Sequence, residues 1–227
     1  MTPCWHKIEK LSQDFIRLFD QTGQRDNQNL DYDWHNQLWS SIRYRRAHVE
    51  IVDKRDSHGI YILHTTVFPH FNDPSPIWGF DAICGRSKIT GAFHDFSSAG
   101  DYNHEMMTWF EEYSGPINQQ LSKPRVLPDW AKQIFSRGMI AAGNIQDEVE
   151  IDLLCNTAKE SLGYYLANVG YTQTSGADFH MAQNRYCHYQ KQNPQVVKSM
   201  VSMGVPETVI TKFVDEILFP ETLNIQL

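Results

Sequence analysis

The stretch "AHVEIVDKRDSHGIYILHTTVFPHFNDPSPIWGFDAICGRSKITGAFHDF", residues 47–96, has the apolar and aromatic composition of consecutive β-strands. Four segments read as strands and are separated by residues that favour turns: 47–52, 59–68, 76–85 and 88–96. Their connections are short enough for hairpins and too short for helical crossovers. The sequence therefore predicts an antiparallel sheet in this region.

Helical patterns occur on both sides of this stretch. Four segments are predicted to be helical: 3–20, 101–121, 147–169 and 176–220, the last broken at Pro194 and at 204–206. A polar loop is predicted at 21–33, and one more short strand at 138–143. The third strand is apolar on both alternating faces, which indicates covering layers on both sides. We predict an α/β fold, a single-domain α/β/α sandwich over residues 1–227, whose central antiparallel sheet is flanked by helices on both faces.

Composition excludes several classes of protein. The chain has 227 residues, 41% of them hydrophobic, and a net charge of −7, which argues against general nucleic-acid binding. A local basic patch remains at "RYRR", residues 43–46. No apolar run has membrane length and the start resembles no secretory signal, so we expect a cytoplasmic protein without membrane association. The four cysteines are far apart along the chain, so we expect free thiols and no metal site.

Two ionisable residues interrupt neighbouring apolar strands, His64 and Asp81. Because burial of an unpaired charge is costly, Asp81 either reaches the surface or keeps its proton. A hairpin could place His64 beside it, either as a structural hydrogen bond or as a proton store with a pKa near neutrality. From pattern alone, Glu50 is expected on the polar face of an edge strand and Asp95 in a turn or cap. Arg125 could bind an anion or be solvated.

Several separate motifs carry a resemblance to a known family. They are "LHTTVFPHFNDPSPIWGFD" at 63–81, "ITGAFHDFSS" at 89–98, "PRVLPDWAKQIFS" at 124–136, and "RYCHYQKQNPQVVKSMVSMG" at 185–204 followed by "FVDEILFP". In this order and spacing the chain resembles the ferredoxin-dependent bilin reductases over roughly residues 45–220, and within them the phycocyanobilin:ferredoxin oxidoreductase-like branch.

The resemblance implies a fold and an activity. The fold is an α/β/α sandwich in which bilin lies between the sheet and the C-terminal helices. The implied reaction is the reduction of biliverdin IXα through bilin radicals, with one electron at a time from reduced [2Fe-2S] ferredoxin. The enzyme is expected to be a monomer that binds no metal or organic cofactor of its own.

Catalytic roles follow from the same resemblance. Asp81 is the general acid that protonates the bilin radical, and His64 shares its hydrogen-bond network. Glu50 matches a glutamate that assists reduction of a vinyl group. Asn193 stands where many relatives carry an aspartate, a second proton donor, and an amide donates no proton readily.

Substrate contacts are implied for three further residues. Arg125 fits a basic residue that holds a bilin propionate, where a guanidinium grips a carboxylate in two places. Thr90 and Phe80 are expected against the substrate as well. Ferredoxin is acidic, so a basic rim is expected to dock it, with 43–46 and 123–125 as candidates.

The product is predicted from fewer residues. His64 is typical of the phycocyanobilin-forming branch, but that branch includes phage-borne relatives that keep the histidine and form phycoerythrobilin in a four-electron reduction. Asn193 and the short N-terminal segment are typical of such a divergent member, so phycoerythrobilin is the favoured product and phycocyanobilin the alternative. Two other functions remain open, a bilin-binding carrier without reductase activity and an acidic interaction protein with a structural His–Asp pair.

Overall fold

The computed structural model describes residues 3–27 and 32–222. These residues contain one seven-stranded sheet whose strands follow one another in chain order: β1 (Gln24–Arg25), β2 (His35–Ser40), β3 (Tyr44–Lys54), β4 (Ile60–Pro69), β5 (Ile77–Gly85), β6 (Ile89–Ser97) and β7 (Ile140–Ala142). Every neighbouring pair is antiparallel. The predicted antiparallel sheet is confirmed, and β3 to β7 coincide with the five predicted strands.

Two strands lie where the sequence predicted none. β1 falls within the predicted polar loop 21–33, of which residues 28–31 lie outside the described residues, and β2 follows that loop. β2 is mixed in polarity and pairs along β3 from His35–Ile51 to Trp39–Ala47. β3 is therefore an interior strand, and Glu50 is 4% exposed. The prediction that Glu50 lies on the polar face of an edge strand is wrong.

Helices precede, interrupt and follow the sheet: α1 (Trp5–Thr22), α2 (Arg55–His58), α3 (Glu105–Gln120), α4 (Glu148–Asn168), α5 (His180–Gln190), α6 (Pro194–Ser202) and α7 (Glu207–Phe213), which continues as a π-helical turn, Val214–Leu218. The predicted helices at 3–20 and 147–169 and the break at Pro194 are confirmed. Proline at the first position of α6 lacks only an N–H that would have no helical partner. None of the described helices combines the length and the apolar character that a membrane span requires.

Helices cover both faces of the sheet. On one face, Phe15 of α1 meets Trp78 of β5 edge to face at 5.4 Å, and Phe110 of α3 stacks on Phe96 of β6 at 4.5 Å. Burial of each such ring stabilises the fold by about 1.5–3 kcal/mol. On the opposite face, Tyr186 of α5 contacts Phe68 of β4 at 5.8 Å. The predicted α/β/α sandwich is confirmed.

Candidate active site

A cavity of about 760 Å³ lies between the sheet and the C-terminal helices. Strands β3 to β6 form its floor, and residues 125–139 together with α5, α6 and Phe219 form its walls. Small-molecule sites in proteins commonly enclose about 300–1,000 Å³. The cavity is therefore large enough for a sizeable organic ligand.

Three ionisable side chains form one row across the floor. Glu50 of β3 is directly opposite His64 of β4, and His64 is directly opposite Asp81 of β5. Directly opposed residues share a face of the sheet, and their Cβ atoms lie about 4.5–5.5 Å apart. All three line the cavity. The predicted approach of His64 and Asp81 across a hairpin is confirmed, and Glu50 extends the row by one strand.

Burial controls the protonation of this row. It raises the pKa of Asp81 to about 7 and lowers that of His64 to about 4, where the positive field of Arg46 adds to the effect. Burial also raises the pKa of Glu50 to about 8; the charge of Asp81 adds to this, and the indole N–H of Trp34 opposes it. Near neutral pH, a neutral imidazole therefore lies between Glu50, which is mostly protonated, and Asp81, which gains and loses its proton in this range.

The polar atoms of the floor are incompletely paired. His64 Nδ1 and Glu50 Oε1 are buried and have no hydrogen-bond partner among the described residues, and the same holds for Thr66 Oγ1 on the floor and for Nδ1 of His48, which does not line the cavity. The other ring nitrogen of His48 lies 3.0 Å from Asn36 Oδ1. Buried polar groups are normally satisfied, so unpaired atoms on a cavity floor are available to a ligand or to water.

Two polar residues beside the row were not predicted as part of a site. His48 lies two residues before Glu50 on the same strand, and this i, i+2 spacing is the signal that could have identified it. Asp95 lines the cavity from within β6, and its carboxylate accepts hydrogen bonds from Ser97 Oγ at 2.7 Å and from the Ser136 backbone N–H at 3.0 Å. Burial raises the pKa of Asp95 to about 6, although these hydrogen bonds oppose it. The prediction of a turn or cap residue is wrong, because Asp95 ties a distant loop to the sheet.

Arg125 and Thr90 lie together at one wall. The Arg125 guanidinium donates to the Thr90 carbonyl oxygen, and the Thr90 hydroxyl donates to Ile83 O at 3.0 Å. Arg125 occupies the space beside Gly143, where a Cβ atom would lie 2.3 Å from Arg125 Nε. Glycine at 143 therefore permits this position of the guanidinium. The structure brings the two residues together at the cavity.

The predicted contact of Phe80 with substrate is corrected by the structure. Side chains alternate between the faces of a strand, so Phe80 points away from the face that carries Asp81. Its ring packs edge to face on Phe15 of α1 at 5.8 Å and against His94 at 6.0 Å. Phe80 borders the cavity but its ring belongs to the core on the opposite face.

Asn193 lines the cavity from the start of α6. Its side-chain oxygen accepts a hydrogen bond from the Gln195 backbone N–H at 3.0 Å and caps the helix. Among the described residues that line the cavity, the carboxylates are Glu50, Asp81 and Asp95, and all three lie on sheet strands. The wall formed by α5 and α6 contributes amides, a phenol, the hydroxyl group of Ser199 and apolar groups.

The basic segment 43–46 is not a free surface patch. The Arg45 guanidinium lies 4.7 Å from the Phe68 ring centroid and donates to Gln183 at 2.8 Å. Arg46 donates to the carbonyl oxygen of Ile217. These guanidinium groups stabilise the contact between β3 and the C-terminal helices, so the prediction of a docking patch at 43–46 is wrong. Lys123 and Arg125 are exposed.

The described residues contain no cluster of three or more metal-ligating side chains. The four cysteines are free, as predicted. Cys4 and Cys84, which are distant in sequence, place their sulfur atoms 2.9 Å apart at the start of α1 and the end of β5.

Comparison with known proteins identifies the family. The profile of the family described as ferredoxin-dependent bilin reductase matches residues 6–220. The curated phycocyanobilin:ferredoxin oxidoreductase of Synechococcus sp. (strain CC9605) is 25% identical over 203 residues, which cover 87% of this chain and 79% of the relative.

Two solved structures share the fold. A structure of PcyX matches with a TM-score of 0.69 and 25% identity, covering 95% of this chain and 99% of the other. Phytochromobilin synthase from tomato, in complex with biliverdin, matches with a TM-score of 0.69 and 16% identity, covering 91% and 82%. Because the family match spans nearly the whole chain, this protein belongs to the ferredoxin-dependent bilin reductases.

Proposed function

We propose that this chain reduces biliverdin IXα by four electrons to phycoerythrobilin, with Asp81 as a proton donor to the bilin radicals. The row Glu50–His64–Asp81 on the floor of the cavity is the observation that carries this proposal. Biliverdin is the ligand in the related tomato structure, which supports the choice of substrate. Each double-bond reduction takes up two electrons from ferredoxin and two protons, so the whole reaction consumes four of each.

Asp81 suits the role of general acid. Its pKa is raised to about 7 by burial, so the carboxyl group holds a proton near neutral pH and releases it to a more basic acceptor. A bilin that has gained an electron is such an acceptor. His64 is neutral at this pH, and its Nδ1 has no partner in the part of the chain that the structure describes, which favours a role in passing protons to Asp81.

The walls of the cavity suit substrate positioning. One guanidinium nitrogen of Arg125 donates a hydrogen bond to Thr90 O, and the remaining N–H groups can bind a propionate. Asn193 contributes hydrogen bonds but no acid on the α6 side, so protons in this proposal come from the sheet. The chain binds no cofactor of its own and acts as a monomer, and residues 123–125 contribute to the basic rim that meets ferredoxin.

A second product is supported by a different observation. The curated relatives are named phycocyanobilin:ferredoxin oxidoreductases, which favours phycocyanobilin. A bilin carrier is a further alternative, because a cavity with suitable walls binds pigment whether or not it supports reduction.

One experiment separates these functions. Purified protein is mixed with biliverdin IXα, reduced ferredoxin is added under anaerobic conditions, and products are resolved by chromatography against known phycobilins. The proposal expects phycoerythrobilin from the unaltered protein, and accumulation of a bilin radical in Asp81→Asn with little loss of affinity.

The matched control is Asp152→Asn, which removes an exposed carboxylate of α4 that pairs with Lys7. It is expected to turn over normally. Phycocyanobilin as the product would overturn the choice of product and keep the reductase. Bound biliverdin that reduced ferredoxin leaves unchanged would overturn the reductase itself and favour the carrier.

A further inference from the structure

Trp34 lies beside Glu50 at the β2 side of the cavity floor. Asn36 of β2 is directly opposite Glu50, and His35 is directly opposite Ile51. Continuing this register places Trp34 diagonally across from Glu50. Diagonal neighbours on adjacent strands are within reach of a large aromatic side chain.

The two side chains offer a matched donor and acceptor. Trp34 Nε1 is buried and has no hydrogen-bond partner among the described residues, and Glu50 Oε1 is likewise buried and without a partner there. An indole nitrogen can only donate, and an ionised carboxylate can only accept. A buried donor and a buried acceptor that are both unpaired carry a free-energy penalty, which a bond between them would relieve.

Aromatic packing holds the indole in place. The Trp34 ring lies 5.0 Å from Tyr32 and 5.0 Å from Phe213 of α7, where the contact is edge to face. Phe213 is fully buried and also contacts His48 at 6.3 Å. Packing on two sides restricts the rotation of Trp34, so the N–H is already oriented when Glu50 changes its charge.

We propose that Trp34 is a positioning residue for Glu50, whose indole N–H binds the carboxylate that forms when Glu50 gives its proton to bilin. The inference rests on the proposed reductase function. In the step concerned, ferredoxin supplies an electron to the bilin, the Glu50 O–H bond breaks, and its proton forms a new bond to the bilin. The carboxylate then accepts the Trp34 N–H until Glu50 is protonated again from solvent.

The direction of the Trp34 effect agrees with this geometry, because the indole N–H lowers the pKa of Glu50 against the effect of burial. Among the other titratable or charged groups on its own strand and on the elements packed on it, Asp81 acts on Glu50 directly, Arg46, His64 and His35 act on His48, and Glu216 acts on Tyr32. Removal of the N–H is expected to raise the pKa of Glu50. The rate of the Glu50-dependent step then falls at a higher pH than in the unaltered protein, and its maximum value is lower.

The test compares Trp34→Phe, Glu50→Gln and the double variant in single-turnover reduction with reduced ferredoxin. Two-electron and four-electron products are separated by chromatography, and rates are measured between pH 6 and about 9, a range that brackets the pKa of Glu50. Trp34→Phe is expected to slow the Glu50-dependent step about tenfold. This factor corresponds to the lower end of the free energies found for hydrogen bonds to charged groups. It is expected to have no further effect when Glu50 is already glutamine.

Trp39→Phe is the matched control, because its indole N–H donates to the carboxylate of Asp20 at 3.0 Å on the opposite face of the sheet. It is expected to leave the product ratio unchanged. If Trp34→Phe does not fold, benzothienylalanine placed at position 34 keeps the ring shape and removes the N–H.

The possible outcomes separate the two proposals. A shifted alkaline limb and a non-additive double variant support the inference. Unaltered rates in Trp34→Phe, or an equal loss in the Glu50→Gln background, overturn it and leave the reductase intact. Failure of the unaltered protein to reduce biliverdin would overturn the proposed function and, with it, the role of Trp34.

Discussion

The two faces of the sheet place a histidine in different environments. On the face covered by α1, α3 and α4, the ring nitrogens of His94 lie 2.7 Å from Gly79 O and 2.7 Å from Ser161 Oγ. On the cavity face, His64 is partly exposed, and its buried Nδ1 has no partner among the described residues. Burial lowers the pKa of both histidines to about 4.

The comparison teaches that a shifted pKa alone does not locate a site. His94 and His64 are alike in charge state, yet one completes a hydrogen-bond network and the other leaves an unpaired atom on the floor of a cavity. Buried side-chain polar atoms without a partner among the described residues are concentrated on the cavity face, with Thr65 Oγ1 the exception on the packed face, so such atoms beside empty volume indicate the functional face. The predictions below test this difference.

Removal of a large ring should separate the faces most strongly. Phe110→Ala on the packed face is expected to lower the free energy of unfolding by about 3–5 kcal/mol, because it leaves a cavity in a close-packed core. Met203→Ala, at the cavity wall, is expected to change the free energy of unfolding by less than about 1 kcal/mol, because the Met203 side chain borders the cavity and packs against fewer atoms. Urea denaturation of both variants measures this, and equal losses would contradict the contrast between the faces.

Replacement of the two histidines should give opposite results. His94→Gln is expected to destabilise the fold by about 1–3 kcal/mol, because Ser161 Oγ and Gly79 O lose a well-placed partner. His64→Gln is expected to leave stability nearly unchanged and to slow bilin reduction. Thermal unfolding and single-turnover assays of both variants decide the matter, and a large stability loss in His64→Gln would count against a functional role.

The stability of the ligand-free protein should depend on pH through Asp81. Its pKa in the folded state, about 7, lies above the ordinary value of about 3.9, so its favourable contribution is complete below pH 4 and disappears as pH rises through 7. The stability of Asp81→Asn relative to the unaltered protein is therefore expected to increase between pH 4 and pH 8. Urea midpoints at both values test this, with Asp152→Asn as an exposed control that should show no such increase.

The smallest effect is expected at the rim of the cavity. Exposed Lys123 and Arg125 attract an acidic partner over distances that salt screens, so encounter with ferredoxin should slow as ionic strength rises. Lys123→Ala is expected to reduce the association rate by about two- to threefold at low salt and to have little effect at high salt. Stopped-flow measurement of bilin reduction tests this. Rates that do not depend on salt concentration would contradict the electrostatic part of the docking proposal.

The sequence predicted the centre of the fold better than its edges. Hairpin connections defined β3 to β6, and the spacing of His64 and Asp81 predicted their approach, because both signals are local. β1 and β2 were missed because "HNQLWS" has no clear alternation and is stabilised by pairing with β3. Phe80 was misplaced although its position next to Asp81 already required it to point to the other face.

Other errors involve contacts that are distant in sequence. The partner of Asp95 is Ser136, 41 residues later, and no pattern around Asp95 indicates it. The arginines at 43–46 read as a surface patch, but the rings of Phe68 and Tyr171 and the carbonyl group of Ile217 cover them. Tertiary contacts of this kind decide burial and cannot be read from a short window of residues.

The chain-order arrangement of the sheet has a consequence for how such enzymes diversify. The acids of the floor come from one continuous run, β3 to β6, whereas the walls come from later segments of the chain: residues 125–139, α5, α6 and Phe219. Under the proposed function, substitutions in the walls can therefore change how the pigment lies over the acids, and with it the double bond that is protonated, without any change in the acids. The same set of acids on the sheet would then serve the formation of more than one product.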